Sequence, residues 1–216
     1  RVSVTMNDGG VPEYIIHENV AWDFLKFTDD KNKLANEADV ICYGSLAQRN
    51  EVSAKTISQI IEATSADCIR IFDINLRQHY YDSNTIEKLL NYSTVLKLND
   101  EELQVVSQIF GLPEDEDRSV EKITERFTLD LVILTKGGAG SRLYSPEMGN
   151  SSHKVDVAEI VDTVGAGDSF TASIATGLCL GMSLSEMHSF ASRVAAYVCS
   201  RRGATPDMPP MKTFME

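Results

Sequence analysis

Two glycines and an acidic residue stand where an extended stretch of this chain meets an apolar helical segment. Residues 162–170 read Asp-Thr-Val-Gly-Ala-Gly-Asp-Ser-Phe. Gly165 and Gly167 allow the chain to turn so that successive N–H groups converge at the start of the helix, where the helix dipole also favours an anion. This arrangement suits a phosphoryl group in transfer, and Asp168 stands where it can accept a proton from an attacking hydroxyl.

The competing interpretation of this segment is an ordinary tight turn, with Asp168 serving only to favour a helix N-terminus. The segment matches neither of the commoner glycine motifs. Phe170 stands where a dinucleotide-binding fingerprint requires its third glycine, and the chain contains no Gly-Lys-Ser or Gly-Lys-Thr of a P-loop. We therefore treat it as a phosphate-transfer motif of another kind.

A second polar segment, Asn99-Asp100-Glu101-Glu102, follows an apolar run and opens a helical pattern. Asparagine followed by glutamate three residues later is an ordinary capping arrangement at a helix start. The same two side chains also suit a magnesium site, because Mg²⁺ keeps several of its waters and uses few carboxylates. Both roles remain open for Asn99 and Glu102.

Two further loops follow apolar runs. Residues 135–140 read Thr-Lys-Gly-Gly-Ala-Gly, and these glycines would allow the backbone to approach a phosphate closely, although such a loop is also common as a plain turn. Residues 73–77 read Asp-Ile-Asn-Leu-Arg. The forked donors of Arg77 could reach a transferring phosphate, and an exposed loop arginine is the alternative.

The elements that position these segments follow from hydrophobic periodicity. Nearly continuous apolar runs lie at residues 40–43, 69–72, 95–98 and 131–134. Such runs are typical of parallel strands that are covered on both faces. Helical periods separate them, such as the one that carries Ile86, Leu89 and Leu90. We therefore predict a three-layer α/β/α fold with a mostly parallel central sheet.

The pattern changes after residue 134. We expect shorter strands near Arg142–Ser145 and Lys154–Val157, then two long helices near Ala166–Gly181 and Ser185–Arg201. At the other end of the chain, extended patterns on both sides of Asn7-Asp8-Gly9-Gly10 predict a β-hairpin. The chain thus divides into a hairpin at residues 1–20 and an α/β domain at residues 21–216.

The composition excludes some function classes. The net charge of −12 argues against a nucleic-acid partner, because there is no basic stripe for a phosphate backbone. No window approaches the roughly 18 consecutive apolar residues of a membrane span. The four single cysteines predict buried thiols of a reducing, cytoplasmic compartment. The acidic stretch at residues 114–117 predicts a solvated loop, and the four histidines share no metal-ligand spacing.

In their order along the chain, these segments resemble the ribokinase-like (PfkB) carbohydrate kinases. Residues 162–170 are similar to the C-terminal signature of that family almost letter for letter. Four further motifs of the family have similar segments here: D-x-N-x-R at residues 73–77, N-x-x-E at residues 99–102, T-x-G-x-x-G at residues 135–140 and G-A-x-P at residues 203–206. The matched motifs run from about Gly44 to Pro206, so the resemblance implies the ribokinase-like fold for most of the chain.

The resemblance also implies roles for individual residues. Asp168 is the expected base, next to an anion hole formed by the N–H groups of Gly165, Ala166, Gly167 and Asp168, with Arg77 nearby. The residues expected to bind Mg·ATP are Asn99, Glu102 (to Mg²⁺ through water), Thr135, Gly137, Gly140, Gly165 and Gly167. In relatives activated by a monovalent cation, K⁺ lies near the equivalents of Asp162, Val164 and Gly203, although Gly203 also suits a plain helix end.

One part of the family pattern is absent. The glycine-rich N-terminal strand and loop that hold the sugar should precede Arg1, and the strands missing with them would form the middle of the sheet. We therefore expect the sequence to be part of a longer protein, since open central edges are avoided. The opening hairpin resembles the small β lid of the family, through which a homodimer is expected.

The implied reaction is transfer of the γ-phosphoryl group of Mg·ATP to a hydroxyl of a ketohexose. Gly44–Arg49 and Asp73–Arg77 look most like fructokinases, which favours fructose. Ribose, 2-keto-3-deoxygluconate and a nucleoside remain alternative acceptors. A kinase-like binding protein without catalysis is a further hypothesis, which the presence of Asp168 disfavours. A dinucleotide enzyme is disfavoured by the missing third glycine and by the C-terminal position of the motif.

Overall fold

A computed structural model describes residues 2–6, 12–154 and 160–215 of the chain. Its strands are β1 (Val2–Met6), β2 (Pro12–Ile16), β3 (Val40–Tyr43), β4 (Ile69–Asp73), β5 (Val95–Asn99), β6 (Leu131–Thr135), β7 (Ser141–Ser145) and β8 (Gly149–His153). Its α-helices are α1 (Asp29–Glu37), α2 (Glu51–Glu62), α3 (Ser83–Tyr92), α4 (Asp100–Phe110), α5 (Glu116–Phe127), α6 (Ala166–Cys179) and α7 (Leu184–Cys199).

Six strands form one sheet in the spatial order β3-β4-β5-β6-β7-β8. The pairs from β3 to β6 are parallel, whereas β7 and β8 each run antiparallel to the strand before them. Strands that are consecutive in the chain therefore lie side by side, as short right-handed crossovers favour. The mostly parallel sheet predicted from the four apolar runs is confirmed.

Both faces of this sheet are covered, which explains why its strands are continuous apolar runs. Along β6, Val132 and Leu134 pack into one core with α3, α4 and α5. The alternate residues, Leu131 and Ile133, pack into a second core with α6 and α7. All four side chains are fully buried. The predicted three-layer α/β/α arrangement is therefore confirmed.

The elements after residue 134 agree with prediction in part. β7 is the strand expected near Arg142–Ser145, and α6 and α7 are the two expected long helices. The other short strand, expected at Lys154–Val157, is found earlier in the chain as β8; residues 155–157 lie outside the described residues. No helix in the described part of the chain is both long and apolar enough to cross a membrane.

β1 and β2 pair antiparallel in a separate two-stranded sheet. The turn expected at Asn7–Gly10 lies outside the described residues. Just after β2, the main-chain carbonyl of His17 accepts a hydrogen bond from Arg49, whose guanidinium also pairs with the buried Asp23 at 2.8 Å. Arg49 thus ties the base of the hairpin to the segment after β3. The division near residue 20 and the lid role of the hairpin stay predictions.

The expectation of a solvated loop at residues 114–117 is right for Glu114 and Asp115, which are exposed and precede a helix, and wrong for the two residues after them. Helix α5 begins at Glu116, and this residue pairs with both Lys136 and Arg142. Asp117 also pairs with Arg142. These basic partners lie in the loop after β6 and in β7, so only the tertiary fold brings them to the acidic stretch. The acidic residues therefore anchor the glycine-rich loop that contains Lys136.

The expectation of four buried thiols is also wrong. Of the four free cysteines, only Cys68 is buried, while Cys199 is half-buried and both Cys42 and Cys179 are exposed. Cys42 lies in β3, which has a neighbouring strand on one side only in the described sheet. Cys179 is the last residue of α6. Apolar neighbours in sequence therefore do not ensure burial at a sheet edge or a helix end.

His188 joins α7 to the two antiparallel strands. It is fully buried, with Nε2 at 2.8 Å from the hydroxyl of Ser141 in β7 and Nδ1 at 2.8 Å from that of Ser151 in β8. Its ring also lies against that of His153, with the ring centroids 4.5 Å apart. Burial first, and the nearby His153 second, lower the pKa of His188 to about 4. The imidazole is therefore neutral at pH 7.

We predict that this histidine makes the fold lose stability as the pH falls from about 6.5 towards 4. The unfolded chain takes up a proton near the ordinary histidine pKa of about 6.5, whereas folded His188 does so only near 4. Proton uptake therefore favours the unfolded state in this range. Urea unfolding across these pH values would measure the loss, and His188→Gln should show a smaller one. Equal losses in both proteins would contradict the prediction.

Candidate active site

The glycine-rich segment forms the start of α6. Gly165 precedes the helix with φ 83°, the left-handed conformation that favours glycine. A Cβ atom at this position would also collide with the backbone oxygen of Ala204. Both constraints require glycine at Gly165. Gly167 lies inside the helix with an ordinary backbone conformation, so the expectation that both glycines make the turn is wrong.

The first turn of α6 presents free donors. The N–H group of Ala166 donates to the carbonyl of Thr163 at 3.3 Å, which turns it away from an anion hole. Those of Gly165, Gly167 and Asp168 have no hydrogen-bond acceptor among the described residues. Free N–H groups at the positive end of a helix dipole form an anion site. Three of the four N–H groups expected in the anion hole are therefore free, that of Ala166 is not, and the anion hole itself stays a prediction.

Asp168 lies in this first turn with an exposed side chain. Its carboxylate has no hydrogen bond or ion pair within the described ranges. Both of its oxygens are therefore available to accept a proton from a hydroxyl at the helix start. The negative charge of Asp168 also favours the helix N-terminus without any hydrogen bond, so the alternative interpretation stays open beside that of a proton acceptor.

A cleft of about 580 Å³ opens beside the start of α6. One end is lined by Thr163, Ala166 and Gly167. The walls include Thr135, Gly137, Gly138 and Gly140 of the glycine-rich loop, Ser141 and His153 of the antiparallel strands, and Ser189, Ser192, Ala195 and Ala196 of α7. Its volume lies within the range of about 300–1,000 Å³ that is typical of small-molecule sites. The two glycine motifs of the sequence therefore share one cleft.

Asn99 and Glu102 form the capping arrangement at the start of α4. The Asn99 side-chain oxygen accepts the N–H of Glu102 at 2.7 Å, and the Glu102 carboxylate accepts the N–H of Asn99 at 2.9 Å. The other Glu102 oxygen accepts the N–H of Leu76 at 2.9 Å. Glu102 thereby joins the N-x-x-E segment to the D-x-N-x-R loop. Asn99 also lies opposite Thr135 in the register of β5 and β6, next to the cleft.

No cluster of three or more His, Cys, Asp or Glu side chains that could hold a metal occurs within the described residues. Both Glu102 oxygens already accept backbone N–H groups, and this side chain is buried. The donor set therefore suits an Mg²⁺ ion that is held mainly by phosphate oxygens and water. The contact of Glu102 with Mg²⁺ through water stays a prediction.

Arg77 is exposed and does not line the cleft. Its guanidinium donates to the carbonyl of the adjacent Leu76 at 2.9 Å. The loop has a strained backbone on both sides of it, since Asn75 and Gln78 have φ of 46° and 49°. The exposed-arginine alternative therefore describes this conformation, and the phosphate contact of Arg77 stays a prediction.

Asp162, Val164 and Gly203, the three residues expected near a monovalent cation, lie together. The Asp162 carboxylate accepts the N–H of Val164 and that of Gly203, each at 3.0 Å. These two hydrogen bonds, that of Val164 first, hold the pKa of Asp162 below its ordinary value. They fasten the C-terminal tail to the loop before α6. Binding of K⁺ at this place stays a prediction.

Sequence reasoning missed a buried ion pair beneath α6. Lys97 Nζ lies 2.9 Å from Asp73, and the two residues face each other in the register of β4 and β5. The hydroxyl of Thr171 lies 3.2 Å from the other Asp73 oxygen and 3.0 Å from the carbonyl of Gly167. The signal in the sequence was a single lysine inside an apolar strand.

Comparison with known proteins identifies the family of the chain. Residues 2–211 match the model of the pfkB family of carbohydrate kinases. The chain belongs to this family. One curated relative, named "Probable fructokinase-6, chloroplastic" from Arabidopsis thaliana, is 29% identical over 99% of this chain and 58% of its own length. The chain thus spans about three fifths of the length of this relative.

Solved structures share the fold. The ribokinase of Arabidopsis thaliana, complexed with ribose and ATP, matches with a TM-score of 0.75 and 24% identity over 99% of this chain and 67% of its own. The fructokinase of Xylella fastidiosa, with bound ATP, matches with a TM-score of 0.80 and 18% identity over 94% and 68%. The predicted ribokinase-like fold is therefore confirmed.

We predict that Gly165→Ala lowers the unfolding free energy more than Gly181→Ala does. Both glycines have a left-handed conformation, which costs an alanine about 1–2 kcal/mol. Only at Gly165 does the added Cβ collide with backbone, because the space around Gly181 is open. Urea unfolding of the two variants would measure the difference. Equal losses would mean that the tail near Ala204 does not restrain this loop.

Proposed function

We propose that this chain supplies the nucleotide and transfer site of an ATP-dependent sugar kinase that acts on fructose. The carrying observation is the cleft lined by Gly167 in the first turn of α6, whose N–H group is free, with the unpartnered carboxylate of Asp168 on the next residue of the chain. Membership of the carbohydrate kinase family and two relatives of known structure with bound ATP support the proposal. The whole protein is expected to be longer than this chain.

The cleft fits ATP in two parts. The free N–H groups of Gly165, Gly167 and Asp168 would hold the phosphate being transferred. The base and sugar of the nucleotide would lie in the part of the cleft that is lined by His153 and the small residues of α7. Mg²⁺, when bound to the triphosphate, would neutralise part of the phosphate charge.

Asp168 would act as the general base. A primary hydroxyl of the sugar gives its proton to the carboxylate as its oxygen forms a bond to the γ-phosphorus, while the bond from that phosphorus to the leaving oxygen of ADP breaks. The free amides of α6 stabilise the charge that the transferred group spreads over its oxygens. An exposed carboxylate without a partner is suited to this step, since no existing hydrogen bond must break first.

Fructose is the proposed acceptor because several curated relatives carry the name fructokinase, and because Gly44–Arg49 and Asp73–Arg77 resemble that group. Ribose is an alternative acceptor, because one relative is named ribokinase. 2-Keto-3-deoxygluconate and nucleosides are the other alternative acceptors. The proposal includes three further points. K⁺ would bind near Asp162, two copies of the protein would form a homodimer through the hairpin, and the protein would be cytoplasmic.

We predict that Asp168→Asn in the full-length protein lowers kcat by about 10²–10⁴-fold, the usual loss for a general base, while ATP still binds. Steady-state kinetics and calorimetric titration with ATP would measure the two effects. Asp30→Asn is a matched control, since Asp30 is also an exposed acid in the first turn of a helix. Near-normal turnover of the Asp168 variant would remove this residue from the mechanism.

We predict that fructose gives the highest kcat/KM in a panel with ribose, 2-keto-3-deoxygluconate and adenosine. Full-length protein with Mg·ATP should be assayed by ADP release, with product formation checked by mass spectrometry. A clear preference for another member of the panel would keep the kinase assignment and replace the acceptor. Turnover of none of them would count against the sugar kinase proposal.

A further inference from the structure

Lys97 occupies an unusual position for a lysine. Its neighbours in β5, Val95, Leu96 and Leu98, are buried apolar residues, and Lys97 itself is only 9% exposed. An ammonium group in such surroundings needs a partner, since burial of an isolated charge is very unfavourable. Asp73 supplies that partner at 2.9 Å.

Stability alone does not account for this ion pair. Replacing a buried ion pair with apolar side chains of similar size is often neutral or stabilising, because the loss of hydration offsets the attraction between the charges. Asp73 and Lys97 lie on the face of the sheet that packs against α6, where an apolar pair would fit the adjoining core of Ile71 and Ile133. The location of the pair therefore suggests a task other than packing.

That location is directly beneath the proposed anion hole. Lys97 Nζ lies 3.5 Å from the position that a Cβ atom would take on Gly167. Gly167 carries one of the free N–H groups and lines the cleft. Because Gly167 has no side chain, no Cβ atom lies between the ammonium group and the main chain of the first turn.

We propose that Lys97 is a positioning residue of the transfer site, whose positive charge reinforces the amides of Gly167 and Asp168 as they stabilise the transferring phosphoryl group. The inference rests on the proposed function. Asp73 and Thr171 hold the charge in place, since Thr171 contacts both Asp73 and the carbonyl of Gly167. Lys97 touches neither substrate nor nucleotide and acts through the helix start.

The expected size of the effect follows from Coulomb's law. The charge of Lys97 alone, at roughly 6–10 Å from a developing negative charge and an effective dielectric constant of about 20, would change a rate by about tenfold to a hundredfold. Asp73 carries the opposite charge 2.9 Å from Lys97 and offsets most of this effect, so the pair as a whole is expected to change the rate by about twofold to tenfold. The effect should appear in kcat, because the charge on the transferred oxygens is redistributed in the transition state. The KM for the sugar should change little.

The test compares three variants of the full-length protein: Lys97→Met, Asp73→Asn, and the two combined. Lys97→Met leaves Asp73 buried without its partner, so both the stability and kcat should fall. The combined variant has no unpaired buried charge, so urea unfolding should show that most of the stability is regained. Its kcat should nevertheless stay about twofold to tenfold below wild type, because the nearer positive end of the pair is lost, with the sugar KM nearly unchanged.

Lys88→Met is the control for net charge, since Lys88 is exposed on α3, and its kcat should equal that of wild type. If the combined variant regains both stability and kcat, Lys97 serves only to neutralise Asp73 and the inference is overturned. If wild type phosphorylates no sugar, the proposed function fails and this role fails with it. The two failures are thus distinguished by the activity of the wild-type protein.

Discussion

The candidate site depends on one buried interaction, the ion pair between Lys97 and Asp73. It joins the last residue of β4 to the middle of β5, and the hydroxyl of Thr171 connects it to the first turn of α6. Charged groups at such depth tolerate little displacement, because separating them leaves each without compensation. The pair therefore holds the helix start at a fixed place above the sheet, where Gly167, with its free amide, lines the cleft.

A second restraint acts on the other side of the same helix start. The Asp162 carboxylate binds the N–H of Gly203, and Gly165 lies so close to Ala204 that no side chain fits between them. The C-terminal tail thereby fixes the loop that leads into α6. Restraint from the sheet and from the tail leaves the cleft side of the turn open, which is the arrangement that preorganised anion sites require.

Much of the fold was predictable because it depends on local patterns. Continuous apolar runs identified β3 to β6, and helical periods identified the helices that cover both faces of the sheet. The predictions that were wrong, for the acidic stretch and for the cysteines, failed because both depend on contacts between residues that are distant in sequence. Glu116 and Asp117 pair with Lys136 and Arg142, which are distant in sequence, and Cys42 is exposed in this chain because β3 has a neighbouring strand on one side only in the described sheet. Neither neighbourhood can be read from adjacent residues.

The amino-acid sequence by itself determined the layered α/β architecture, the glycine-rich start of α6 and the acid beside it, since each follows from residue types at short spacing. Only the tertiary structure decided what lies beneath and around that helix start. Asp73 meets Lys97 across 24 residues and Thr171 across 98, and Asp162 meets Gly203 across 41. Contacts at such separations arise from strand register and helix packing, which no local pattern encodes.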